Sequence, residues 1–327
     1  MDPVLFGQDI GRTPETLKTL ASATREENPW QEAARVLSGV RDGRRLVLLG
    51  MGSSHFANSV LAMRLQAEGI HAIAVLASAD PLPAVDASDV VIAVSASGGS
   101  AETLAAIGAF AGRCSTIAVT NTGDSAIESA CDVHVSILAD KEEGGVACRS
   151  FAHTLGLHLA LEGLLVGGVN AADVIDRAAD ACAELLARRG EWLAPMTELL
   201  LGPDGTAVVA PARRLSSAQQ SALMLREGPR LPAIACETGD WSHIDVYLTK
   251  TTDYRLLLLP GSIWEPQLLD WCQQRKSTVV ALGADIPDAA YVLRYAGDQV
   301  DEVRLVSEAI VGELVAQDRW AKQEARR

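Results

Sequence analysis

The stretch Val90 to Ile107, VVIAVSASGGSAETLAAI, decides the fold. Its first five residues are apolar without alternation, the pattern of a strand buried on both faces rather than one with a wet side. Ser95 to Ser100 then gathers three hydroxyls and two glycines, and Ser100–Ala111 reads as a helix with Glu102 in its first turn. Buried strand, tight polar loop and helix make up half of a parallel crossover unit.

The same pattern recurs on either side. Arg45–Leu49 (RLVLL), Ala72–Leu76 (AIAVL), Thr116–Thr120 (TIAVT) and Val133–Ile137 are predicted strands, with Ser54–Glu68 and Ala126–Ala130 as helices between them. Upstream, Thr13–Leu37 reads as helical and is divided by Pro29. From Cys148 to about Leu200 the chain turns to long alanine- and leucine-rich helices, broken at Gly167–Gly168. A second strand–helix series follows: strand Thr206–Ala210, helix Ser216–Arg226, strand Arg255–Pro260, helix Trp264–Arg275, strand Thr278–Leu282 and closing helix Val300–Ala321. It shadows the first series as a diverged duplication would. With 327 residues, more than one core usually serves, the expectation is an α/β protein of two doubly wound parallel sheets in tandem. The domains are expected at residues 1–170, carrying the serine loops, and 171–327.

Bulk composition narrows the function. Hydrophobic residues at 48% and charged residues at 21% give a globular balance and exclude a wholly disordered chain. No apolar run reaches the roughly 20 residues a membrane span needs. The opening MDPVLFGQDI has acid and no basic stretch, so it is not expected to be a leader, and a cytoplasmic location follows. The six cysteines are irregularly spaced without a CxxC pair, and the six histidines form no HxH or HExxH cluster. Neither disulfide frame nor metal is therefore expected, and no cofactor is implied. The net charge of −14 argues against nucleic acid and anionic membrane as partners. An anionic ligand must then be held locally, by backbone dipoles and hydroxyls.

Two loops qualify. Gly50-Met51-Gly52-Ser53-Ser54 follows the first strand and opens a helix, whose amides favour an anion. A dinucleotide fingerprint would need a third glycine at position 55, which is His, so a nicotinamide-dependent dehydrogenase is disfavoured. The second loop carries Ser95, Ser97 and Ser100. A helix start needs one N-cap hydroxyl; three beside flexible glycines suit a tetrahedral dianion. Without a lysine the loop is unlike a nucleotide P-loop.

These loops resemble those of the sugar isomerase (SIS) family, whose glucosamine-6-phosphate synthases and stand-alone relatives carry two flavodoxin-like SIS domains in tandem. In that family a G-[ST]-S turn and an S-x-S-G-x-[ST] loop bind the sugar phosphate; the matching residues are Ser53 and Ser54, then Ser95, Ser97 and Ser100. The family stretch E-x-G-V-A-[SA]-T-K-x-F resembles Glu142 to Phe151, with Arg149 in place of the usual lysine. A-L-K-L-K-E resembles Ala222 to Glu227, G-E-x-x-H resembles Gly239 to His243, and a C-terminal L-A-K resembles Trp320-Ala321-Lys322. The similarity covers nearly the whole chain.

The resemblance implies a phosphosugar isomerase that moves a proton between neighbouring carbons through an enediol or enamine. Glu227 would be the base, His243 would assist ring opening from the neighbouring subunit of a homodimer, and Lys322 would lie over the sugar carbonyl. Met224 stands where the synthases have a relay lysine, and the chain opens Met1-Asp2 rather than with a catalytic cysteine, so glutamine-dependent amination by this chain alone is not expected. The loop after RLLLLP lacks the hydroxyl cluster, so the second domain is expected to bind no phosphate of its own. A sugar-phosphate deaminase or deglycase would share the Glu227 step, and a non-catalytic sugar-phosphate sensor is the alternative from another class.

Overall fold

In the computed structural model, which describes residues 1–326, the chain forms two compact units, each built on a five-stranded parallel sheet. One unit is Glu15–Lys141 with Arg149–Asp176; the other is Met1–Pro14, Glu142–Cys148 and the chain from Arg177 onward. The chain passes from the first unit to the second between Asp176 and Arg177, and two short segments from the N-terminal half belong with the second sheet. Among the described residues no helix is long and apolar enough to cross a membrane.

In the first unit, α2 (Thr13–Glu26) begins in the other unit's segment and runs into this one, followed by α3 (Ala34–Leu37), after α1 (Pro3–Gly11) in the second unit. The sheet contains β1 (Leu46–Gly50), β2 (Ala72–Leu76), β3 (Val90–Val94), β4 (Ser115–Thr120) and β5 (Val133–Ser136), with α4 (Gly52–Ala67), α5 (Ala101–Phe110) and α6 (Ala126–Ala130) in the connections. Strand order is β2-β1-β3-β4-β5, all pairs parallel. The central strands β1 and β3 are buried at every residue, as their unbroken apolar runs require. Helix α7 (Arg149–Leu165) is buried along nearly its whole length; the Trp30 indole N–H donates to the Leu157 carbonyl at 2.7 Å, and Arg64 pairs with Glu162 at 2.7 Å.

The second unit has the same order written in its own strands. Helices α8 (Ala171–Ala187) and α9 (Arg189–Leu200) lead to β6 (Thr206–Ala210), α10 (Leu215–Glu227), β7 (Ala233–Glu237), α11 (Thr238–Trp241), β8 (Arg255–Leu258), α12 (Glu265–Gln274), β9 (Thr278–Leu282), β10 (Tyr291–Leu293), α13 (Asp301–Ser307) and α14 (Ala309–Glu324). Its sheet runs β10-β9-β8-β6-β7, all pairs parallel, so in each sheet the strand order reverses between the first and third strands of the chain. The edge strands β7 and β10 were not expected from the sequence. Each is a short edge strand with one flank unpaired and is buried only at intervals. The single closing helix expected over 300–321 is two helices, α13 and α14, meeting at Glu308.

Close backbone approaches at two glycines set the packing of this unit's helices. Helices α10 and α14 cross so closely that a Cβ on Gly312 would lie 2.5 Å from the Ser221 side chain and 2.9 Å from its Cα. The strap Glu142–Cys148 is clamped by α1: the Gly144 amide donates to Asp9 at 2.7 Å, and a Cβ on Gly144 would lie 2.5 Å from the Phe6 backbone. Gly312→Ala is expected to destabilise the protein by about 1–3 kcal/mol in denaturant titrations through overpacking. Adding Ser221→Gly should restore part of that loss; an unaltered midpoint for the single variant would show that the crossing has room.

Candidate active site

In the first unit both serine loops leave the carboxyl ends of adjacent strands, β1 and β3, where the strand order reverses. That is where doubly wound sheets open a crevice. After β1 the chain turns at Gly50, whose absent side chain leaves room for the Ser54 and His55 backbone and for the Asn58 amide, each 3.0 Å from a would-be Cβ. Asn58 is buried and donates to the Leu49 carbonyl at 2.9 Å, fastening α4 to the end of β1. Ser53 and Ser54 fall in the first turn of α4, where amides lack helical partners. His55, half-buried beside them, has its pKa lowered by desolvation, against an opposing hydrogen bond to Val75.

After β3 the loop is tied at both ends. The Ser95 amide donates to Val119 at 3.0 Å, and the Gly98 amide donates to Ser95 at 3.0 Å. Gly98 has a φ of +65°, and a Cβ there would lie 2.4 Å from the buried Ser125 side chain, so both conformation and space demand glycine. Ser97 Oγ accepts the Gly99 amide at 3.3 Å, and Ser100 caps α5 by accepting the Thr103 amide at 3.3 Å. Ser100 also donates to Glu102 at 3.0 Å. Glu102 titrates below the ordinary carboxylate range because its own backbone amide and the Ser100 hydroxyl bond it. A carboxylate thus already rests at the α5 N-terminus, in the kind of position a phosphate group would take.

The three proposed reactive residues all lie in the second unit. Glu227 ends α10 and lines a cavity of about 770 Å³ with Met1, Pro3, Arg230, Trp320 and Gln323 among others. Burial raises its pKa, and the nearby charge of Glu142 raises it further; neither Arg226 nor Arg230 is among the groups acting on it. His243 is exposed, its backbone amide turned onto Asp240 at 2.8 Å, and Lys322 pairs with Asp318 at 2.7 Å; neither lines the Glu227 cavity.

Three residues around Glu227 were not singled out from the sequence as site residues. Glu142 belongs to the strap, where its Oε1 accepts the Cys148 amide at 2.7 Å. Gln220, one of the buried polar residues of α10, donates to the Ala147 carbonyl at 2.8 Å, with Met224 Sδ at 3.7 Å from the same nitrogen. Glu313 is 3% exposed in α14. Its signal was legible, a lone acid inside the apolar run AIVGELVA, but only the fold shows what it faces. At the corresponding reversal of the second sheet, Arg213, Arg214 and Arg304 are engaged by Asp301 and Glu308.

Residues 40–161 match the SIS domain family. Over 273 residues the chain is 28% identical to the glutamine–fructose-6-phosphate aminotransferase (isomerizing) of Aeropyrum pernix, an alignment covering 77% of this chain and 44% of that protein. The chain therefore spans less than half the length of that relative. Among solved structures it is similar to the C-terminal domain of glucosamine-fructose-6-phosphate aminotransferase from Francisella tularensis, with TM-score 0.85, 15% identity and coverage of 98% and 96% of the two chains. It is also similar to tagatose-6-phosphate ketose/aldose isomerase from Escherichia coli, with TM-score 0.82, 16% identity and coverage of 98% and 94%. At these identities the structural likeness is one of fold. The SIS match spans Ser53, Ser54, Ser95, Ser97 and Ser100.

If these serines hold a phosphate, a phosphate ester should raise the melting temperature of the wild-type protein. Ser97→Ala with Ser100→Ala should weaken its apparent affinity by about tenfold or more, at roughly 1 kcal/mol per lost hydrogen bond. Equal stabilisation of both proteins would remove the loop from the ligand site.

Proposed function

We propose that the chain is a phosphosugar isomerase of the aldose–ketose type. The observation that carries this reading is Glu227, a partly buried carboxylate at a cavity, its pKa raised by burial and by the charge of Glu142. A base must be ionised to accept a carbon-bound proton, yet not so acidic that it holds that proton poorly; partial desolvation supplies this compromise. Glu227 would take the proton from one of two adjacent carbons, leaving an enediol, and return it to the other. The hydroxyl proton shifts in the opposite sense, so no redox partner is consumed.

In this reading Ser53, Ser54, Ser95, Ser97 and Ser100 bind the phosphate group, with the α4 and α5 N-termini lending their dipoles. Glu102 must yield the end of α5 to the incoming dianion. His243 assists ring opening; its exposure fits an imidazole that serves the site of a second copy in a homodimer. Lys322 acts on the carbonyl after leaving Asp318. Met224 is fully buried and offers no titrating group, so amination is not part of the proposal.

The test is carbon-bound proton exchange in D₂O, followed by NMR with fructose 6-phosphate and a panel of aldose, ketose and amino-sugar phosphates. Glu227→Gln is expected to slow exchange by about 10²- to 10⁴-fold, the usual contribution of a general base. Activity should fall with acid through a pKa above the ordinary carboxylate range, because protonation of the raised group removes the base. Exchange untouched by the substitution would exclude Glu227 as the base. Stabilisation by a sugar phosphate without any exchange would mark a binding protein instead.

A further inference from the structure

Glu227 and Glu313 lie on different helices, yet one group acts on both: the charge of Glu142 pushes each of their pKa values upward. Glu142 reaches them from the strap, which is held by α1 and by α10. On one side α1 grips Gly144 through Asp9. On the other, Gln220 of α10 reaches over to the Ala147 carbonyl, and the side chain of Gln220 is in turn hydrogen-bonded to Glu313. The close crossing at Gly312 and Ser221 packs α14 against α10, the helices that carry Glu313 and Gln220.

We propose that Glu313 is a positioning residue for Glu227: through Gln220 it holds the 142–148 strap, and with it Glu142, against the helix that carries Glu227. The proposal deepens the isomerase reading and, where reaction rates are concerned, rests on it.

The chemistry of the pocket favours a neutral Glu313. Burial, then the charge of Glu142, push its pKa up to about 8, while Gln220 opposes the shift. The groups facing it are Glu142 from the strap, Gln220 from α10 and the Cys182 thiol from α8, itself kept protonated by burial. No cation is among them. A protonated carboxyl can donate and accept in such a place; an ionised one would confront Glu142 as a like charge in low dielectric. Ionisation above about pH 8 should therefore loosen the strap. The sign for stability comes from proton counting. The folded pKa lies above the unfolded one, so the native state holds the extra proton between the ordinary carboxylate range and about 8. Stability contributed by this group falls as pH rises through that window and levels off beyond it.

The experiment compares wild type, Glu313→Gln and Gln220→Leu by amide hydrogen exchange between pH 6.5 and 9, reading Gly144 and Cys148. At pH 9 these amides should exchange about tenfold faster, or more, in wild type than in Glu313→Gln, and alike at pH 6.5. Gln220→Leu should loosen the strap at every pH. The alkaline limb of kcat should move upward in Glu313→Gln, and melting temperatures of wild type should fall relative to that variant between pH 5 and 8. Matching protection in wild type and Glu313→Gln across the range overturns the proposal, as does a strap equally protected in Gln220→Leu. A wild type that turns over no sugar phosphate defeats the isomerase reading alone, because the exchange comparison needs no substrate.

Discussion

Parallel strands buried on both faces leave the chain with one polar exit, the row of loops at the strands' carboxyl ends, and the chemistry of each unit has to be built there or on the helices that cover the sheet. β1 and β3 are buried at every residue, so neither can present a functional side chain along its length. Their following loops instead carry the hydroxyls, and the helices that start in those loops supply amides aimed at the same ends. With a net charge of −14 and no lysine in either loop, an anion there would depend on dipoles and hydroxyls. This is a local solution to the problem of holding a dianion on an acidic protein.

The second unit uses the same strand order to a different end. At its reversal point, arginines and carboxylates neutralise one another, and the informative groups lie instead on α10, α14 and the strap. The strap is local in sequence to the first unit but packs with the second, held by Asp9 and Gln220 from opposite directions. A seven-residue segment with two adjacent glycines can do this because Gly144 admits the Phe6 backbone and Gly145 takes a φ of +71°.

The central strands and the helices between them were legible because a buried parallel strand must be apolar without interruption, and that pattern survives in a single sequence. Val90–Val94, Thr206–Ala210 and Thr278–Leu282 have the bounds their residues suggested. At the sheet edges the reading was uneven: the half-buried β2 and β5 were legible, while β7 and β10 were not. The two helices joined at Glu308 read as one, since both keep an apolar face through the junction.

For the site, sequence alone determined which loops could hold an anion and that Glu227 ends a helix, since hydroxyls, glycines and helix periodicity are local properties. Burial and charge environment are not local. That Glu227 is partly desolvated beside Glu142 and that Glu313 is sealed against Gln220 depend on residues 85 positions apart in the first case and on helix packing in the second. Electrostatic and desolvation effects act through space, so the same glutamate is an ordinary surface acid or a poised base according to what the fold sets around it. The sequence could supply the groups; only the tertiary structure decided their protonation.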